Sequence, residues 1–248
     1  MARRRFFVRA VHNGRAELEG DGAEHLRRVL RAERGQRYEI SDNESVYLAE
    51  VSGFGKGRVE FRVLEKIEAE PPPLRLGLLV SLIKFDRLEW LLEKATELGV
   101  ESITLVEAER SDRGLDTAAR KRLERWRRIL LESSQQSRRA KLPELFGPVP
   151  FAQAVATAGS WRYLLEEQDG ARPLVAALPE NRGREDSVYL LAGPEGGLTD
   201  AERATTRESG WQPVSLGPLI LRTETAVIAA LAVLTNAWLA AMAYNGSR

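Results

Sequence analysis

The chain has 248 residues, 43% of them hydrophobic and 29% charged, an ordinary globular composition with room for one large domain or two smaller ones. It has no cysteine and only two histidines, His12 and His25, which excludes thiol nucleophiles, disulfides and any metal site built from several Cys or His ligands. The net charge of +1 is segregated: residues 1–37 carry ten arginines against five acids, and residues 110–141 carry eleven Arg or Lys against four acids. Two basic blocks on an otherwise acidic chain are the pattern of a protein that meets a polyanion such as RNA, although a solvated helix face is the simpler explanation for any one arginine of the second block. The basic N-terminus runs into Phe6-Phe7-Val8 without the apolar core of a secretory signal, so a cytoplasmic location is expected.

The first seventy residues predict a small β-rich domain. Residues 6–9 and 16–18 are short strands, 23–31 a helix with Leu26, Val29 and Leu30 on one face, and 38–41, 46–51 and 59–64 three further strands. Turns are expected at Asp42-Asn43 and across residues 53–57, and a compact barrel with one helix satisfies the pattern. Arg27, Arg28 and Arg31 are candidate phosphate contacts, because such contacts need only reach and charge; His25 reads as a helix-surface residue rather than a base reader. Pro71-Pro72-Pro73 is a stiff spacer, which places domains at residues 1–70 and 74–248.

Beyond the prolines, strand and helix alternate: 74–82 extended, 87–98 helical and stopped by Gly99, 102–106 extended, 118–136 helical. That alternation predicts an α/β domain with a parallel sheet covered on both faces. Residues 133–145 end the last helix in polar residues, and Arg138 and Arg139, adjacent and just ahead of Pro143, are placed to hold a phosphate. After a helix near 151–158, a strand at 161–165 ends at Leu165 and runs into Glu166-Glu167, followed by a polar loop with at most a short helix over 168–186.

The most informative stretch follows. Residues 187–192 are an apolar run of strand length, broken by Gly193-Pro194-Glu195-Gly196-Gly197, and Thr199 with Glu202 forms the pattern of a helix capping box. Glycines there can bring bare backbone against a ligand, at the carboxyl end of a parallel strand where the free N–H groups of the next helix also point. A tight turn without a ligand would look the same, but the pattern recurs: 213–216 is extended, Gly217-Pro218 turns, and Leu221-Arg222-Thr223-Glu224-Thr225 opens a long helix. The two turns together bring backbone donors, one arginine and two carboxylates to one place, unless Arg222 and Glu224 merely form an ion pair at the helix start. Residues 225–245 are uncharged and long enough to cross a bilayer, but alanine-rich, with Thr235-Asn236 in the middle, so a helix buried between subunits is expected in place of a membrane span.

Leu-x-x-Gly-Pro-Glu-Gly-Gly-Leu-Thr from Leu190 and Leu-Gly-Pro-x-Ile-Leu-Arg-Thr-Glu-Thr-Ala from Leu216 resemble the two signature motifs of the 16S ribosomal RNA uridine-N3 methyltransferases, SPOUT-class enzymes that use S-adenosyl-L-methionine. Arg5-Phe6-Phe7, the stretch 25–31, Lys84, Asp86, Thr96-Glu97-Leu98-Gly99, Glu109-Arg110-Ser111 and Gln136-Ser137 with Arg139 and Pro143 extend the similarity over nearly the whole chain. The sequence departs from the family pattern at Phe85, usually glycine, at Gln135, usually glutamate, at Leu219, usually basic, and at Arg138. The resemblance implies a PUA-like RNA-binding β-barrel followed by a trefoil-knotted SPOUT domain, a homodimer formed through the C-terminal domain, 16S RNA or the small ribosomal subunit as partner, and neither metal nor membrane. It implies cofactor contacts at Leu165, Gly193, Pro194, Glu195, Gly196, Gly197, Leu216, Gly217, Ile220, Leu221 and Thr225. It implies RNA contacts at Arg5, Arg27, Arg28, Arg31, Arg110, Arg138 and Arg139, and catalytic work by Arg222 with Glu195 or Glu224. Two other readings stay open: a SPOUT enzyme acting on another RNA position or a ribose 2′-oxygen, and an RNA-binding module without catalysis.

Overall fold

The structure is a computed structural model that describes residues 5–167 and 170–245, with side chains as far as residue 242. The basic N-terminal residues 1–4, part of the first basic block and of the stretch tested for a signal, lie outside the described residues, as do two positions of the polar loop, 168 and 169. The chain separates into two compact units, Met1–Pro71 with Leu131–Leu142, and Pro72–Leu130 with Pro143–Arg248.

The first unit holds β1 (Arg5–Phe7), β2 (Val11–His12), β3 (Arg15–Glu19), α1 (Gly20–Glu24), β4 (Arg37–Ser41), β5 (Val46–Gly55) and β6 (Arg58–Ile67). They form one mixed sheet in the order β1-β4-β5-β6-β3-β2, in which β1 and β4 run parallel and the other pairs antiparallel. The predicted turn over 53–57 is tighter than expected, because β5 continues to Gly55 and only Lys56 and Gly57 connect it to β6, with Gly57 at φ +71°. Alternating residues supply the core: Ala16 and Leu18 from β3, Ile40 from β4, Val59 and Phe61 from β6, closed by Phe6 and Leu26. The helix predicted over 23–31 runs unbroken from Gly20 to Val29 but changes its winding at His25. Residues 25–29 form a wide turn in which Leu30 N–H reaches the His25 carbonyl at 3.1 Å. This widening rotates later residues away from the 3.6-residue face. Leu26 therefore stays buried while Val29 and Leu30 are 64% and 40% exposed.

The second unit is built on β7 (Arg75–Ser81), α2 (Phe85–Glu97), β8 (Ser102–Glu107), α3 (Leu115–Arg120), α4 (Leu123–Gln136, which runs on into the first unit), β9 (Glu144–Pro150), α5 (Phe151–Val155), β10 (Trp161–Leu165), β11 (Arg172–Pro173), α6 (Leu174–Ala177), β12 (Ser187–Ala192), α7 (Asp200–Glu208), β13 (Gln212–Ser215) and α8 (Thr223–Asn245). The single helix expected over 118–136 is broken in two, and the loop after β10 contains the short edge strand β11 and a turn of helix that the sequence pattern only partly suggests. The sheet order is β11-β13-β10-β12-β7-β8-β9, and every pair is parallel. Its central strands bury nearly every side chain, as a sheet covered on both faces demands. Leu88, Leu91, Leu92 and Ala95 of α2, and Val227, Ala230, Leu231, Leu234 and Trp238 of α8, repeat at three- and four-residue spacing and are fully buried, and the two helices pack on each other. Trp238 Nε1 donates to Asp186 Oδ2 at 2.8 Å. By length and composition α8 could span a membrane from Thr223 to Met242, with 28% of that stretch buried in this chain.

Besides the edge-on stacking of Phe85 on Trp126, one carboxylate links α2 to α4. Glu89 accepts from Arg125 Nε and Nη2, both at 2.7 Å, from Trp126 Nε1 at 3.3 Å and from Arg122 Nη1 at 3.4 Å. The hydrogen bond from Arg125 is the main reason that its carboxyl sits below the ordinary value of 4.5, against the opposing effect of burial. A depressed carboxyl contributes stability that is complete above the unfolded value and is lost as pH falls through the folded one. Glu89→Gln is expected to lower Tm by a few degrees at neutral pH. In thermal melts across pH the gap to wild type should shrink below about 4.5; a gap unchanged in acid contradicts this role.

Candidate functional site

Three strand ends converge. Leu165 of β10 pairs with Ala192 of β12 and with Val214 of β13, so the loops that leave these parallel strands emerge side by side. The first, Gly193–Gly197, closes on itself through Gly197 N–H to the Pro194 carbonyl at 2.8 Å, with Gly197 at φ +67°. The capping box forms: Thr199 N–H donates to Glu202 Oε2 at 2.8 Å, and Glu202 N–H to Thr199 Oγ1 at 3.3 Å. Glu202 Oε1 also accepts Glu109 N–H at 2.9 Å, tying the loop after β8 to the start of α7. This brings Arg110 against the glycine loop. A Cβ at Gly196 would stand 3.2 Å from Arg110 Cβ, and Arg110 Nη1 donates to the Gly196 carbonyl at 3.3 Å.

The second loop leaves β13 through Leu216 and Gly217, whose φ of +131° belongs to glycine and whose missing Cβ would face open space. Between the loops lies a cavity of about 630 Å³. Of the residues expected at a cofactor, Leu165, Gly193, Pro194, Glu195, Gly197, Leu216, Gly217, Ile220 and Leu221 line it, and Arg222 joins them. Gly196 turns to Arg110, and Thr225 is exposed on the first turn of α8; neither is on the cavity wall.

Arg87, Glu166, Glu195 and Arg203 bring charge to the wall, whereas Glu224 is not on it. Arg87 of α2 pairs with Glu195, and its Nε stands 4.0 Å from Glu224 Oε1. Glu224 is only 6% exposed, and its Oε2 has no hydrogen-bond partner. The suggested ion pair between Arg222 and Glu224 is thus replaced by one between Glu224 and Arg87: Glu224 is buried in the first turn of α8 near α2, while Arg222 precedes that turn and is exposed. On the opposite wall Glu166 accepts from Arg203 Nε at 2.8 Å, and Arg203 also donates to the Leu198 carbonyl. The hydrogen bond that Arg203 donates to Glu166 raises its pKa above the ordinary value and holds the guanidinium in place. Arg87 was hidden because one arginine inside an amphipathic helix reads as solvent-facing; Glu166 and Arg203 are far apart in sequence and carry no joint signal.

The arginines expected at RNA differ in accessibility. Arg27 is exposed, with its guanidinium 5.9 Å from the Phe54 ring centroid; Arg28 is within 3.6 Å of Glu24, and Arg31 is exposed at φ +50°. Arg5 is not on the surface: it is 7% exposed, bonds Glu39 at 2.9 and 3.2 Å, and donates to the Arg138 carbonyl. Its donors are spent inside the protein. Arg138 pairs with Glu39 and keeps its side chain 46% exposed, and Arg139 Nε donates to the Lys141 carbonyl at 3.0 Å. Much of the second basic block is neutralised locally, Arg120 by Glu107, Arg122 and Arg125 by Glu89, and Arg127 by Glu124, so its net charge overstates the free positive surface. Among the described residues no group of three or more His, Asp or Glu side chains could hold a metal ion.

Residues 70–235 match the model of a family described as an RNA methyltransferase domain. The ribosomal RNA small subunit methyltransferase E of Aquifex aeolicus is 30% identical, over 84% of this chain and 89% of its own length. Among solved structures, the ribosomal RNA small subunit methyltransferase E of Neisseria gonorrhoeae bound to S-adenosyl methionine is 28% identical with a TM-score of 0.85, covering 95% of this chain and 98% of that one. A protein of Legionella pneumophila in complex with the bound cofactor SAM is 30% identical, again with a TM-score of 0.85, over 96% of this chain and 98% of its own. The sequence match, the shared fold and the cavity between the two glycine-proline loops lead to one conclusion: this chain belongs to the RNA methyltransferase family.

Proposed function

We propose that this protein methylates N3 of a specific uridine in 16S ribosomal RNA of the small subunit, with S-adenosyl-L-methionine as methyl donor. The observation that carries the reading is the cavity at the shared carboxyl end of β10, β12 and β13, lined by residues of both glycine-proline loops. The residues fit the cofactor. A volume of about 630 Å³ suits a ligand of that size, and Gly217 leaves open space where a side chain would stand. Leu165, Leu216, Ile220 and Leu221 would enclose its apolar parts, and the backbone of Gly193–Gly197 and of Gly217 would bind its polar edges, with Thr225 close behind.

S-adenosylmethionine supplies a methyl group already activated on a sulfonium, so the protein needs to orient the uridine and help it lose its imide proton. Orientation alone accounts for roughly 7–11 kcal/mol in favourable cases. Arg222, exposed at the cavity wall, is assigned to the uridine as its N3 becomes anionic. Glu195, on the cavity wall beside Arg87, is the carboxylate assigned to orient the base or accept the proton, and Glu224, buried off that wall, would act through Arg87.

Residues 74–248 would then form a knotted SPOUT domain and residues 1–70 a PUA-like RNA-binding domain, with the segment Leu131–Leu142 grouped in the first compact unit. Arg27, Arg28, Arg31, Arg138 and Arg139 of the first unit would then meet RNA, with Arg110 serving it beside the glycine loop. The apolar surface that α8 leaves outside this chain's core supports a homodimer formed through the C-terminal domain, in the cytoplasm. A SPOUT enzyme of ribose 2′-oxygen would share the cavity and differ in product, and a binding-only module would not need the cavity.

Methyl transfer from labelled S-adenosylmethionine to small ribosomal subunits lacking the modification is expected to yield 3-methyluridine, identified by mass and chromatography; a 2′-O-methylated nucleoside would overturn the specificity. Arg222→Ala should lower kcat by about 10²–10³ with cofactor affinity nearly unchanged, and equal losses in both would remove it from catalysis. Gly217→Val forces a β-branched residue to φ +131° and should abolish cofactor binding by calorimetry while the melting curve stays cooperative; near-normal binding would show that this loop does not form the cofactor wall.

A further inference from the structure

Inside the first unit a strap of chain, residues 138–142, lies along β4 in a regular register. Glu39 accepts from Arg138 Nε at 3.3 Å and from its Nη2. Ser41 Oγ donates to the Ala140 carbonyl at 2.6 Å. Asn43 Oδ1 accepts Leu142 N–H at 2.7 Å. All three contacts join residues 99 apart in sequence, and 39, 41 and 43 alternate along the chain, so one polar edge of β4 and its turn grips every second residue of the strap. Ile40, between them, enters the apolar core. Glu39 and Ser41 are consequently 8% and 0% exposed although both are polar.

The strap begins under backbone strain. Arg138 sits at φ +57°, a left-handed conformation that normally falls to glycine or asparagine at the end of a helix. An arginine tolerates it here because Glu39 holds its side chain while Arg5, buried and bonded to the same carboxylate, donates to the Arg138 carbonyl. Two guanidiniums around one carboxylate leave one net positive charge, and it sits on the outer, half-exposed arginine. A guanidinium fixed along one edge presents its other edge in a set direction, the arrangement suited to a phosphate oxygen.

We infer that Glu39 is a positioning residue for the RNA substrate: it aims Arg138 outward and, with Ser41 and Asn43, fixes the 138–142 strap as a rigid edge that docks the RNA phosphate backbone. This rests on the reading of the protein as an RNA methyltransferase of the small subunit, and adds to it a residue that never touches RNA. It also gives Arg5 an internal role as the second anchor of the same carboxylate.

The test is methyl transfer to small ribosomal subunits lacking the modification, as a function of subunit concentration and salt, for wild type, Glu39→Gln, Asn43→Ala and Arg138→Gly. Glu39→Gln is expected to raise KM for subunits about tenfold, with kcat and S-adenosylmethionine affinity within twofold. Its slope of log(kcat/KM) against log salt should be shallower by about one charge. Arg138→Gly suits the left-handed backbone, so it should melt no lower than wild type yet show the same KM and slope. Adding Glu39→Gln to it should change little more. Asn43→Ala should raise KM by a smaller factor, and it carries the test if Glu39→Gln fails to fold. Unchanged KM and slope in folded variants of an active enzyme overturn the inference alone, as does a loss of kcat or cofactor affinity at constant KM; a wild type that leaves the subunits unmethylated overturns the functional reading together with it.

Discussion

Parallel pairing of β10 with both β12 and β13 is the constraint on which the rest of the second unit depends. Because Leu165 is in register with Ala192 on one side and Val214 on the other, three strands stop at the same level and three loops share one edge. Parallel strands need crossovers, and α7 supplies the one between β12 and β13, anchored by Glu202, which caps its own helix and also holds Glu109. The glycines then matter for where they stand. Gly196 lets the loop after β8 approach, Gly197 turns the chain, and Gly217 leaves the cavity wall bare.

Charge in both units is organised by carboxylates that hold arginines. Arg87 is shared between Glu195 and Glu224, Arg203 is held by Glu166, and Glu39 is shared between Arg5 and Arg138. A long flexible cation becomes a directed donor only when something fixes its plane, and a partly buried carboxylate does so more firmly than water would. Pairs of this kind add little to net stability, since desolvation offsets much of the attraction. Their value lies in geometry, at a cavity that is to hold a cationic cofactor and on a surface that is to meet phosphate.

Much of this was legible in the sequence because it is written in local rules. Apolar runs of strand length, glycine after β12, the Thr199 and Glu202 cap and the spacing of Leu88, Leu91, Leu92 and Ala95 all act within a few residues, and the elements they predict are present. What escaped is non-local. Glu39, Ser41 and Asn43 alternate with Ile40 as a solvent-facing edge would, and nothing near them announces that residues 138–142 will cover them. Arg5 sits in a basic block yet is buried by Glu39, which lies beyond any local window. The wide turn at 25–29 defeated the helical period, so Val29 and Leu30 face outward where a regular spiral would have buried them. For the candidate site, the two glycine-proline turns were readable and Arg87, the residue that ties Glu195 to the cavity, was not.

If the cavity is the cofactor site, the loops that leave β12 and β13 hold the methyl donor. Amide hydrogen exchange with and without S-adenosylmethionine tests it most directly. Slowed exchange concentrated in residues 193–198 and 216–223, with the first unit unchanged, is the predicted result. A cofactor that binds while those loops exchange as before, or that protects the first unit in their place, would contradict it.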